Sequence, residues 1–216
     1  MEYKTTGCAR AEHPEFVLCV DDPTVPQADI KHIIHYLESS VMKGTRYFEG
    51  QHVQIGFMLL KVAKDGDCLR LFEPKLKSMP LEFINSVSLT LKFLRQQLDT
   101  VLSVEGQHTP VFCWVQESII ISKNALLSQE ICLTREEKEA HHSGWFLRDM
   151  NEQEVSDIEQ MSLFDFAGRR PDLVKYLALP VGMDVITPKG TRPRILQGQM
   201  SCKIIDGSYL DKLYTR

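Results

Sequence analysis

The chain has 216 residues, 43% hydrophobic and 25% charged, with a mean hydropathy of -0.19, a formal charge of -4 and a pI near 6.0. Such a length carries one large core or two small ones, and the composition excludes a disordered or fibrous chain. No run approaches the roughly 20 apolar residues of a membrane span, and the acidic balance argues against nucleic acid or an anionic membrane as main partner.

The first eight residues lack the basic and then apolar pattern of an export signal, so a cytoplasmic protein is expected. A strand is predicted over residues 15–20, ended by Asp21-Asp22-Pro23. From 27 to 42, Ile30, Ile33, Ile34, Leu37 and Val41 recur at three- and four-residue spacing. That spacing is one face of a helix, with Gly44 to end it and His32 and His35 on the polar side. Residues 52–63 form a long apolar stretch rich in β-formers, meeting 68–72 across Lys64-Asp65-Gly66-Asp67, the chemistry of a tight hairpin turn. A second helix is predicted over about 80–104, with Ile84, Val87, Leu91, Leu94, Leu98 and Leu102 in one stripe and Leu89 and Phe93 as a smaller pair. Residues 111–115 read as a further strand after the linker-like 106–110.

This order is β-α-β-β-α-β, a split βαβ arrangement with two amphipathic helices on a mostly antiparallel sheet. The remainder predicts a smaller α+β unit. It opens with a strand at 119–122, passes through a charged interval at 130–139 and has short amphipathic pieces at 156–166 and 171–179. Strands are predicted at 185–186, 194–196 and 203–205. An α+β protein with domains at 12–116 and 117–216 is the expectation.

Six cysteines (Cys8, Cys19, Cys68, Cys113, Cys132, Cys202) are spread through the chain, several among apolar strand residues. Buried free thiols are the reading favoured over disulfides. Cys132, His141, His142 and Ser143 suggest a nucleophile with a histidine base, but adjacency in sequence is not geometry and no nucleophile-elbow glycine pattern is present. His32 and His35 lack the companions of a metal site. Neither a phosphate loop nor a calcium loop is formed, so no enzyme, cofactor or metal is expected.

Residues 130–159 hold nine acids against three bases, a local charge of -6, whereas 168–216 hold nine bases against four acids. The two segments make an acidic and a basic face, or pair with each other. Ser143-Gly144-Trp145-Phe146 is a different kind of signal. Glycine before two large aromatics suggests a strand starting at a tight turn, with the tryptophan either filling the second core or facing a partner.

From about 118 to 186 the chain resembles the bacterial immunity protein 33 domain. The resemblance is carried by Ile120-Ile121-Ser122-Lys123, then His142-Ser143-Gly144-Trp145-Phe146. Ser162-Leu163-Phe164-Asp165, Arg170-Pro171-Asp172-Leu173 and Tyr176-Leu177-Ala178-Leu179-Pro180-Val181-Gly182 continue it. The family often has Asp-Ser-Gly-Trp where this chain has His142-Ser143-Gly144-Trp145. The resemblance marks Ser122, Lys123, Ser143, Gly144, Trp145, Pro171, Leu177 and Gly182 as motif positions, expected to be structural. It implies a non-catalytic protein that binds and neutralises a cognate toxin or effector made beside it, with a homodimer left open. Without an export signal, the toxin is expected to act in the cytoplasm. Asp149, Glu152, Glu154 and Asp157 are the expected contact surface, supplying negative charge to a basic active site. An adaptor or chaperone for a secreted protein is the alternative.

Overall fold

The computed structural model describes residues 1–152 and 157–214, so Glu154 lies outside the described residues. The protein is α+β, with one sheet of six strands and one of seven among those residues. It divides into two compact units, Met1–Arg95 and Gln96–Arg216.

The first unit contains β1 (Glu2–Lys4), β2 (Phe16–Cys19), α1 (Gln27–Met42), β3 (His52–Ile55), β4 (Met58–Asp65), β5 (Cys68–Pro74), β6 (Phe83–Ile84) and the start of α2 (Ser88–Leu102). The strand order is β1-β2-β5-β4-β3, with β6 on β5. Only β2 and β5 run parallel, and α1 lies in the long connection that parallel neighbours require. Helix α1 buries Ile30, Ile33, Leu37 and Val41 from its predicted face, each contributing about 1.5–3 kcal/mol. His32 and His35 are exposed, and His35 hydrogen-bonds Ser39 of the next turn.

Two local expectations change here. The stretch at 52–63 is two strands rather than one, because Gly56, at φ +56°, turns the chain with Phe57 and pairs Ile55 with Met58. Helix α2 begins at Ser88 instead of near residue 80, and Phe83–Ile84 pair with β5. The start is set by Glu73 of β5, whose carboxylate accepts from the backbone N–H groups of Leu89 (3.2 Å) and Thr90 (2.8 Å) and from the Thr90 hydroxyl. A carboxylate there satisfies amides that have no partner inside the helix and meets the positive end of its dipole. The predicted stripe is only partly inside: Val87 and Leu91 are buried, whereas Leu102 is exposed; of the smaller pair, Phe93 is buried.

The second unit contains β7 (Ser118–Ser122), β8 (Ile131–Arg135), β9 (His142–Asp149), β10 (Ile158–Ser162), α3 (Leu163–Arg169), β11 (Met183–Thr187), β12 (Arg194–Gln197), β13 (Met200–Cys202) and α4 (Tyr209–Tyr214). Their order is β10-β7-β9-β8-β11-β12-β13, antiparallel throughout except for β7 and β9. The charged interval therefore begins with a core strand: Ile131, Leu133 and Arg135 alternate inward. The piece at 156–166 is strand β10 followed by α3, whose N-cap Ser162 accepts from the Asp165 amide at 3.0 Å. At 171–179, Pro171 is exposed before a short 3-10 turn, Val174–Tyr176, with Leu177 and Leu179 buried behind it. The last strand lies at Met200–Cys202, and Ile204 makes a single bridge to Val104.

Residues 111–115 form no strand. The Val111 amide donates to the Ala178 carbonyl, the Val111 carbonyl accepts from the Arg135 guanidinium, and Glu117 closes a turn onto the Trp114 carbonyl. The backbone of this apolar segment is thus satisfied by a side chain and a turn in place of a ladder.

Candidate functional site

The motif Ser143-Gly144-Trp145 is a bulge in β9. Along the parallel pair, Ser118 faces His142 but Ile120 faces Phe146, so three β9 residues oppose the single residue Ile119. Gly144 takes φ +82°, and a Cβ there would stand 2.3 Å from the Glu136 backbone oxygen. Only glycine fits both the conformation and the close approach. The Ser143 hydroxyl, fully buried, donates to the Ser118 carbonyl at 2.7 Å and accepts from the Trp145 amide, so the groups opened by the bulge are paired.

Trp145 is 0% exposed, and its Nε1 donates to the Leu177 carbonyl at 3.3 Å. Its ring lies 5.2 Å from the guanidinium of Arg135, which is itself only 3% exposed. Arg135 donates to the carbonyls of Val111 (2.7 Å), Leu177 (3.1 Å) and Leu179 and to the Cys113 sulfur (3.3 Å), although its Nε has no partner among the described residues. Carbonyl dipoles and an aromatic face take the place of a carboxylate for this buried cation. Burial lowers the Arg135 pKa and pushes the Cys113 thiol up to about 11, which keeps that sulfur a protonated, unreactive group. Gly182, at φ +81°, donates its amide to the Arg135 carbonyl. Ser122 accepts from the Asp149 amide at 3.1 Å, whereas Lys123 and Pro171 are exposed.

The acidic residues lie at the far end of β9. Asp149 accepts from the backbone and side chain of Asn151 and from Ser128, and these bonds, the Asn151 amide foremost, lower its pKa. Glu152 accepts from Asn124 at 2.8 Å, and Asp157 pairs with Lys123 at 3.3 Å with both side chains open to solvent. The turn at Lys123-Asn124 thus gathers Glu152 and Asp157, but each described acid already has a local partner.

At the opposite end of β9, the loop 136–141 joins it to β8 and carries Glu136, Glu137, Lys138 and Glu139, all exposed. Beside it stands Trp114, 48% exposed, with the Lys138 ammonium 5.7 Å from its ring centroid. Lys138 also pairs with Glu117, only 7% exposed, whose carboxylate accepts from the Trp114 amide at 3.2 Å. The sequence offers no sign of this arrangement. Trp114 lies in an apolar run that reads as a buried strand, and its exposure follows from the way Arg135 and Glu117 take up the local backbone.

The residues considered for nucleophilic chemistry do not assemble. Cys132 faces Arg148 in the register, whereas His142 lies six residues back along β9, roughly 20 Å away by strand rise. Nδ1 of His142 accepts from the Gly144 amide, and Ser143 is committed to the backbone. The described residues contain no group of three or more histidine, cysteine or acidic side chains placed to hold a metal. A cleft of about 530 Å³ in the first unit is lined by Asp21, Glu73, Ser86, Ser88 and Lys92 together with Pro23, Ile84 and Leu89. Its acids are occupied internally: Asp21 accepts from both serine hydroxyls, which lower its pKa, and Glu73 caps α2. No helix among the described residues is long and apolar enough to cross a membrane.

The second unit thus carries a bulged sheet in which Ser122, Ser143, Gly144, Trp145, Leu177 and Gly182 make backbone contacts, with charged side chains at both ends of β9. No curated protein and no solved structure matches the chain. Residues 96–197, just under half of the chain, match the family model of the Imm33-like domain, and the likeness is confined to this segment.

Proposed function

We propose that this protein is a bacterial immunity protein that binds and neutralises a cognate toxin or effector, protecting the cell that makes it. The observation that carries the reading is the Imm33-like match over residues 96–197, which spans the bulge, its tryptophan and both charged ends of β9. Immunity requires tight binding rather than turnover, and the separation of Cys132 from His142 is in keeping with that. Asp149, Glu152 and Asp157, with Glu154, are assigned a part in attracting a basic active site. Exposed charges at an interface rim act on encounter and salt dependence more than on final affinity.

The test is co-expression with the full-length product of the gene adjacent to this one. The neighbour should arrest growth alone, growth should return when this protein is present, and the two should elute as one complex. A harmless neighbour, or arrest that this protein does not relieve, overturns the proposal. A complex without rescue would make the protein an adaptor. Changing Asp149, Glu152 and Asp157 to lysine should slow association and weaken its dependence on salt, and unchanged association would remove these acids from the interface.

A further inference from the structure

We propose that the β8–β9 hairpin end, Trp114 with Glu136, Glu137 and Glu139, is the principal docking surface, and that its occupant is a basic face of the partner protein. This rests on the immunity reading and identifies the surface through which it is exercised.

Three observations carry it. First, Trp114 leaves nearly half of its surface in water, unlike the fully buried Trp145. A large aromatic at the surface is the commonest anchor of protein interfaces, supplying apolar area together with an indole N–H. Second, the indole is already held. Lys138 lies over its ring, and Glu117 binds both that lysine and the Trp114 amide, so little ordering remains to oppose binding.

Third, the surrounding charge has one sign. Lys138, the one lysine or arginine of loop 136–141, is neutralised by Glu117. The carboxylates of Glu136, Glu137 and Glu139 are exposed and have no ion-pair or hydrogen-bond partner among the described residues. They are therefore available to cations of another molecule, in contrast with Asp149, Glu152 and Asp157. An apolar anchor beside a loop that carries unpaired carboxylates matches a pocket bordered by lysine and arginine. Along β9 the two ends stand roughly 20 Å apart, so substitutions at one do not disturb the other.

The experiment is titration calorimetry of this full-length protein with the full-length product of the adjacent gene, at two salt concentrations. Trp114→Ala should weaken binding about 30-fold or more, the scale of an interface anchor. Trp114→Phe should lose less, because it keeps a ring beneath Lys138. The triple variant Glu136→Lys, Glu137→Lys, Glu139→Lys should weaken binding and flatten its salt dependence, with an unaltered thermal midpoint confirming the fold. Wild-type affinity in both Trp114→Ala and the triple variant overturns the proposal, as does a loss confined to the Asp149, Glu152 and Asp157 variant. A wild-type dimer that Trp114→Ala converts to monomer makes a second copy the occupant and overturns it too. Failure of the wild type both to bind and to rescue growth removes the immunity reading itself, whereas rescue that survives every hairpin substitution removes only this surface.

Discussion

Trp145 and Trp114 stand near the same end of one sheet, and each has a cation over its ring supplied by the same strand and hairpin. Their situations are otherwise opposite. Arg135 over Trp145 is buried and held by carbonyl oxygens, so ring, cation and backbone close on each other and leave nothing for a partner. Lys138 over Trp114 is exposed and held by a carboxylate, which neutralises it, and nearly half of Trp114 stays open to water. A tryptophan beside a cation is thus core or surface according to where the hydrogen bonds of that cation end.

The comparison is tested most severely at the buried member. Trp145→Ala should cost about 3–5 kcal/mol, read as a fall in the urea midpoint, since it removes a full aromatic and leaves Arg135 without its aromatic face. A loss under about 1 kcal/mol would mean that Trp145 does not organise the second core. Gly144→Ala should come next, at about 2–4 kcal/mol, because the new methyl meets the Glu136 carbonyl in a conformation that disfavours any side chain. Stability equal to wild type would refute the bulge. Trp114→Ala should be smallest, under about 1 kcal/mol in the same measurement, because nearly half of the residue is already in water and only an exposed cation–π contact is lost. The ordering reverses for partner binding, where Trp114 carries the large effect and a conservative change at Trp145 the small one.

Much of the fold was legible in the chain. The apolar face of α1, the turn at Asp65-Gly66-Asp67 and the strands at 119–122, 185–186 and 194–196 follow from short-range periodicity and turn chemistry, and the structure has them where expected. Gly144-Trp145 was legible for a similar reason, since glycine before bulky aromatics needs a special backbone whatever surrounds it. Less legible was β8, hidden in a charged interval, because Arg135 occupies an inward position that a hydrophobic pattern reserves for apolar side chains. For the candidate surface, Asp149, Glu152 and Asp157 were visible as part of a charge excess, but their local partners were not.

What the sequence by itself determined, then, was the α+β class, the periodic elements and the motif glycine, all properties of residues within a few positions of one another. Tertiary structure decided where α2 starts, whether residues 111–115 join a sheet and which tryptophan meets water. Each of those depends on hydrogen bonds between distant residues: Glu73 to Thr90, Arg135 to Val111 and Leu177, Lys138 to Glu117. Buried backbone groups must find partners, and when the partner is a side chain twenty or forty residues away, no local pattern announces it.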